Sequence, residues 1–440
     1  MVEILQRHGY MAYLVGGCIR DLLIGKQPKD FDVSTNATPD QVRRVFRNSR
    51  IIGRRFKIVH VVFGKDIVEV TTFRSSNDSD EPEAGRVSSD TGMLVRDNVY
   101  GTTIEEDADR RDFSINAVYY DSNEHALLDF HGGLNALKDR VIDIIGDPGV
   151  RYHEDPVRMI RALRFAAKLG FKITKRTADP IRKLSADLRL VSNARMFDEV
   201  SKLFLTGHGL ESFRILKEYH IFEILFPQLE SFLDNRVFNE FVEYALTSSD
   251  ERFASNMRNM PHFLYAVMFW LKFQSSLFRL QQLNEAAVNP APLRVLTEQA
   301  GWEILRAQST ITAIPMGISA SILSMWALQL QLLETTDPAL TGNVVSQSLF
   351  RGAFDILRLR AKFEPYLVPC MNFWQPYYDK SASRSHSRTD KGRMKNKDKG
   401  RRQGKYDRSN QDAFKHESSA EKNDRLARAK AWRAAMNLEP

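Results

Sequence analysis

The stretch that most constrains this chain is Tyr13–Thr35, YLVGGCIRDLLIGKQPKDFDVST. Tyr13, Leu14 and Val15 form a short β-prone apolar run that stops at Gly16 and Gly17. The spacing from Cys18 to Ile24 predicts a helix, with Gly25 placed to end it. A second strand follows, carrying Asp30 and Asp32 two residues apart, so both carboxylates leave one face while Phe31 and Val33 point into a core.

Two carboxylates so close on a rigid strand repel each other unless a cation lies between them. Hard divalent ions with oxygen ligands, Mg²⁺ above all, suit such a site. Glycines let backbone approach a ligand, and the first N–H groups of a helix favour phosphate. Arg20 stands near that helix start and can reach the same anion. A metal on one side and a phosphate cradle on the other point to a nucleotide held for attack at phosphorus. An isolated Asp-x-Asp is commonplace on protein surfaces; the combination with Gly16-Gly17 and Arg20-Asp21 upstream is far more specific.

Further along, Thr38-Pro39 reads as a helix start. Ile58–Phe63 and Ile67–Phe73 are β-rich and separated by Gly-Lys-Asp, a hairpin signal. Glu69 leaves the face opposite Val68 and Val70, where a third carboxylate would complete a two-metal site. The polar stretch Ser75–Asp97 has no apolar period and reads as a mobile loop. In EEDADRRDFSINAVYYD, Glu105–Asp121, paired arginines and Asp112 precede an apolar run. From Gly146 the pattern is helical. In HEDPVRMIRALRF, Asp155, Arg158 and Arg161 fall at i, i+3 and i+6 on one helical face. A carboxylate beside a guanidinium suits reading a base edge, since it pairs an acceptor with a fixed fork of donors.

Together these motifs resemble the nucleotidyltransferase family that contains bacterial poly(A) polymerases and CCA-adding enzymes. The Arg54-Arg55-Phe56 segment, followed by His60-Val61, is similar to the poly(A) polymerase branch. The resemblance implies an α+β fold: a nucleotidyltransferase palm over 1–145, a helical neck over 146–210, a helical body over 211–378 and a basic, largely disordered tail over 379–440. It implies Asp30 and Asp32 as ligands of two Mg²⁺ ions, helped by Glu69 or Asp112. It implies Gly16, Gly17, Arg20 and Arg111 at the nucleotide, Asp155 and Arg158 selecting the base, and Arg161 reaching the triphosphate. ATP and RNA 3′ ends would be substrates, with RNA-degradation proteins as partners. A CCA-adding enzyme is the nearer alternative, and a catalytically silent RNA-binding protein the more distant one.

Charge supports the RNA reading. The 440 residues carry a formal net charge of +8, yet Lys380–Pro440 alone holds 18 Lys and Arg against 8 Asp and Glu. The basic character belongs to the tail, a plausible footprint for a polyanion. Two cysteines offer no disulfide framework or zinc spacing. The apolar run Phe263–Phe273 is too short to span a bilayer. The expectation is a cytoplasmic protein with no membrane association.

Overall fold

The computed structural model describes residues 1–381 except 54–56, 65, 75–85, 88–93, 96–99, 286–288, 290 and 335–340. The Arg54–Phe56 segment, most of Ser75–Asp97 and the basic tail therefore lie outside the described residues. Two compact units divide the chain, Met1–Val191 and a second beginning at Ser192.

The first unit is built on a seven-stranded mixed sheet. Its strands are β1 (Ala12–Val15), β2 (Asp32–Thr35), β3 (Ser49–Ile52), β4 (Ile58–Phe63), β5 (Asp66–Thr72), β8 (Val118–Asp121) and β9 (Ala126–Asp129). A separate two-strand pair, β6 (Arg86–Val87) with β7 (Leu94–Val95), falls inside the stretch expected to be an unstructured loop. The large sheet runs β3-β4-β5-β2-β1-β8-β9, with β2 and β5 parallel and every other pair antiparallel.

Alternation along the strands separates the two faces. Val33, Val59, Val61 and Val70 point to one side and form a core with Val2 and Leu5 of α1 (Val2–Arg7) and Val42 of α3 (Pro39–Val45). The Thr38 hydroxyl and the Gln41 side chain cap the start of α3 reciprocally, and Pro39 at its first position lacks only an N–H that no helix would use. On the opposite face, Val15, Phe73 and Tyr119 pack under Ile104 and Ala108 of α4 (Ile104–Asp109).

Two local expectations need correction. β2 begins at Asp32, so Asp30 and Phe31 lie on the segment that leads into the strand. Phe31 is 41% exposed, whereas Val33 is buried as expected.

Behind the sheet, α6 (Pro148–Glu154) and α7 (Val157–Leu169) follow α5 (Gly133–Lys138). A parallel pair, β10 (Val141–Ile142) with β11 (Lys172–Ile173), and α8 (Lys175–Leu184) tie this helical end to the palm.

The second unit is helical through its described length, with aromatic stripes forming core as the sequence suggested. α16 (Met316–Glu334) is long and apolar enough to cross a membrane by length and composition. Its Trp326 and Gln329 are buried, however, and it packs on α13 (Pro261–Met268), α15 (Leu293–Ser309) and α18 (Phe350–Phe363). The Gln329 side chain donates to the Ala353 carbonyl at 2.7 Å and accepts from Arg360 at 3.1 Å, which satisfies both ends of a buried amide.

Candidate active site

Sheet register places the acidic groups. Asp32 lies opposite Glu69, and Glu69 lies opposite His60, so the three share a row on the face away from the valine core. His60 Nε2 stands 3.3 Å from Glu69 Oε1. Burial raises the Asp32 pKa above the ordinary carboxylate value; Glu69 raises it further, Arg111 opposes and Asp30 adds to the rise. Asp30, Asp32 and Glu69 thus form one field of negative charge, opposed at Asp32 by the Arg111 guanidinium.

Gly16 closes the other side. Its φ of +80° with ψ of −134° is a conformation essentially reserved for glycine. A Cβ built there would lie 3.6 Å from Arg111 Nη1 and 3.8 Å from Asp32 Oδ2. The turn therefore delivers backbone to the point where Arg111 meets Asp32. α2 (Gly17–Leu23) begins at Gly17, as the sequence indicated within one residue.

Arg111 is fixed by groups that the sequence did not single out. Its Nε donates to the Tyr119 hydroxyl at 2.8 Å, its Nη2 to Asp107 Oδ2 at 3.0 Å and its Nη1 to the Asn116 carbonyl at 3.4 Å. The same Asp107 oxygen accepts from Tyr119 at 2.8 Å and from Ser34 at 2.9 Å. Burial alone would lower the Arg111 pKa, but Asp107 and Tyr119 reverse this and raise it, so the cation stays charged. From below, Arg151 donates to the carbonyls of Arg110 and Arg111 at 3.0 and 2.7 Å.

Asp112 turns away from the acidic row. It accepts from Arg161 Nε at 2.7 Å, with a second, closer contact from Arg161 Nη2, and from Asn116 at 3.2 Å and its neighbour's N–H at 2.8 Å. Burial alone would raise its pKa, but Arg161 and Asn116 hold it below the usual range. A carboxylate stabilised in this way supports the fold above its unfolded pKa of about 3.9, and that support is lost as pH falls through its lower folded value. Arg161→Gln should therefore lower thermal stability at neutral pH and flatten its decline on acidification. Melting curves from pH 3 to 7 check this; parallel curves would contradict the pairing.

Arg20 is only 2% exposed. Its guanidinium donates to Asp21 at 2.8 and 2.6 Å and to Asn116 at 2.7 Å. A buried cation needs such partners, and they hold its Nη2 3.5 Å from where a Cβ on Gly17 would lie, beside the Gly-Gly turn. Phe165 of α7, also unremarked in the sequence, collects Arg20, Arg161 and Arg164 around its ring at 5.2, 5.5 and 4.7 Å.

The Asp155 expectation changes in one respect. α7 starts at Val157 after Pro156, and Asp155 is extended at φ −151° and ψ 93°. The proline ring disfavours helical backbone in the residue before it, so Asp155 sits at a joint between α6 and α7, off the helical face. Its carboxylate accepts from the Val157 N–H at 3.2 Å. Arg158 donates to Glu154 at 3.0 Å and to the Arg151 carbonyl at 2.7 Å.

Among the described residues, no three His, Cys, Asp or Glu side chains converge closely enough to enclose a metal ion. The donor set still fits Mg²⁺, which keeps several waters and binds through one or two carboxylates plus substrate phosphates. Asp30 and Asp32 would supply those carboxylates.

A mixed sheet bearing an acidic row, a glycine turn and an arginine beside them defines a nucleotidyltransferase. A similar fold occurs in the crystal structure of the Bacillus stearothermophilus CCA-adding enzyme in complex with CTP, with a TM-score of 0.57 and 24% identity over 88% of this chain and 80% of that one. Family models match at 12–143, the poly A polymerase head domain, at 170–233, the probable RNA and SrmB-binding site of polymerase A, and at 293–409, the polymerase A arginine-rich C-terminus. Poly(A) polymerase I of Haemophilus influenzae is 43% identical over 382 residues, 86% of this chain and 83% of that protein. A CCA-adding enzyme of Geobacillus sp. is 37% identical over 223 residues, which is 50% of this chain and 52% of that protein. The chain belongs to the bacterial poly(A) polymerase family.

Proposed function

We propose that this chain adds AMP from ATP to RNA 3′ ends without a template and releases pyrophosphate. The observation that carries the site assignment is the meeting of Asp32, Arg111 and the Gly16 backbone at one end of the central strands β1 and β2. The RNA 3′-hydroxyl attacks the α-phosphorus in line; a P–O bond forms to the RNA, the bond to the β-phosphate bridging oxygen breaks, and pyrophosphate leaves. Magnesium held by Asp30 and Asp32 would ease deprotonation of the hydroxyl and neutralise the triphosphate. Glu69, rather than Asp112, is the better third carboxylate, because Asp112 is already neutralised by Arg161. Arg111, kept charged and rigid, orients sugar and phosphate, and catalysis rests on positioning and charge neutralisation.

Asp155 and Arg158 select the base in this reading; Arg161, expected at the triphosphate, reaches it only from its pairing with Asp112. The basic tail would grip the RNA backbone without sequence preference, and RNA-degradation proteins would be its partners. The reaction belongs in the cytoplasm, where ATP and RNA 3′ ends meet. The CCA-adding alternative would use the same palm, but the sequence identity to the Geobacillus CCA-adding enzyme spans half of the chain, against 86% for the Haemophilus poly(A) polymerase.

Asp155→Ala tests the base assignment. Losing a fixed hydrogen-bond partner should cut the preference for ATP over CTP and UTP by about tenfold or more, read as the ratio of kcat/KM values. An unchanged ratio would move base selection elsewhere.

A further inference from the structure

The helical unit encloses a cavity of about 350 Å³ between α12 (Arg236–Ala254), α13 and α18. Arg252, Arg258, Arg351 and Arg358 line it, against one carboxylate, Asp355. That carboxylate is already engaged, accepting from Arg358 at 2.9 Å and from the Tyr378 hydroxyl at 3.2 Å. The lining thus carries a surplus of guanidinium charge in a partly dry recess, where an anion gains most. The remaining wall mixes apolar side chains with Ser248, Ser249 and Ser348; Tyr244, with Lys362 over its ring at 3.8 Å, and Phe263 supply aromatic surface, and His262, whose pKa burial pushes down, adds a further ring. Asn259 donates to the Ser249 carbonyl at 2.9 Å, which leaves its own oxygen as an acceptor. Cavities of roughly 300–1,000 Å³ hold one small-molecule-sized ligand.

We infer that this cavity binds a single nucleotide unit, with its phosphate on the arginine rim and its base against Tyr244 and Phe263. The unit comes from the RNA strand upstream of its 3′ end or from a free nucleotide. The RNA source rests on the function proposed above; the free-nucleotide source does not.

Photolabelling of the full-length protein separates the two. The probes are an oligo(A) carrying 8-azidoadenosine and free 8-azido-ATP, with labelled peptides mapped by mass. Label on peptides containing Tyr244 or Phe263 from the oligonucleotide identifies RNA, and label there from 8-azido-ATP identifies a free nucleotide. Either label should disappear in Arg252→Ala/Arg258→Ala, which strips the rim, and in Ser248→Trp, which fills the space. For an RNA ligand the double variant should also weaken oligo(A) binding roughly tenfold and reduce the salt dependence of log K by about 0.7 for each phosphate it no longer neutralises. Absence of label from both probes, or label unaffected by both variants, would overturn the inference. Failure of the proposed function shows separately, as no AMP addition to any RNA, because photolabelling needs no turnover.

Discussion

Asp32→Ala should abolish AMP addition while leaving RNA binding intact. Charge neutralisation by a bound metal is worth several kcal/mol of transition-state stabilisation, and at about 1.36 kcal/mol per decade the loss is about a thousandfold or more. Asp30→Ala should behave alike, since Asp30 joins the same field of charge. The substitution should not harm the fold. Burial and the neighbouring Glu69 disfavour the charged form of Asp32, so the isosteric Asp32→Asn should melt at or above the wild-type temperature without magnesium. A variant that is inactive because it is unfolded would show a lower melting temperature and no RNA binding, which would remove the support for a metal-binding role. Activity of Asp32→Ala within tenfold of wild type would sink that role outright.

Asp107→Ala carries the second large effect, for a different reason. One Asp107 oxygen accepts from Arg111, Tyr119 and Ser34. Removing the carboxylate leaves a partly buried guanidinium and a buried phenol without their shared acceptor, and since breaking a fully buried pair costs about 3–5 kcal/mol, the loss here should be about 2–4 kcal/mol. It also frees Arg111 from its place against Gly16 and Asp32, so catalysis should fall with stability. Asp107→Asn keeps the shape and part of the hydrogen bonding. It should regain most of the melting temperature but little of kcat, because a neutral amide no longer holds the Arg111 charge in register. If Asp107→Asn instead recovers full kcat, Asp107 serves the fold alone.

Asp107 also marks where the sequence stops being legible. The strand, glycine turn and helix at the start of Tyr13–Thr35 could be read directly, because each depends on local backbone preference, and the second strand was readable from Asp32 on, though not at Asp30 and Phe31. Glu69 was readable from alternation along one strand, and the register then placed it opposite Asp32. Asp107, Asn116 and Tyr119 could not be read in the same way. In the sequence they are a helical acid, an amide and a strand aromatic; their role exists only once α4 lies across the sheet. The pairing of Asp112 with Arg161 joins residues 49 apart, and no local pattern distinguishes it from a carboxylate facing a metal. Arg20 was placed correctly on α2, yet its burial against Phe165 and Asn116 depends on α7. Asp155 was displaced from its expected helical face by one local rule, the effect of Pro156 on the residue before it.

The most direct test supplies nucleotides to the purified full-length protein with magnesium and two RNAs, a generic single strand and a tRNA lacking its 3′ end. ATP alone should give long ladders on the generic strand, with no need for CTP. Addition confined to the tRNA, requiring CTP before ATP and ending after three nucleotides, would contradict polyadenylation and assign the chain the CCA-adding reaction.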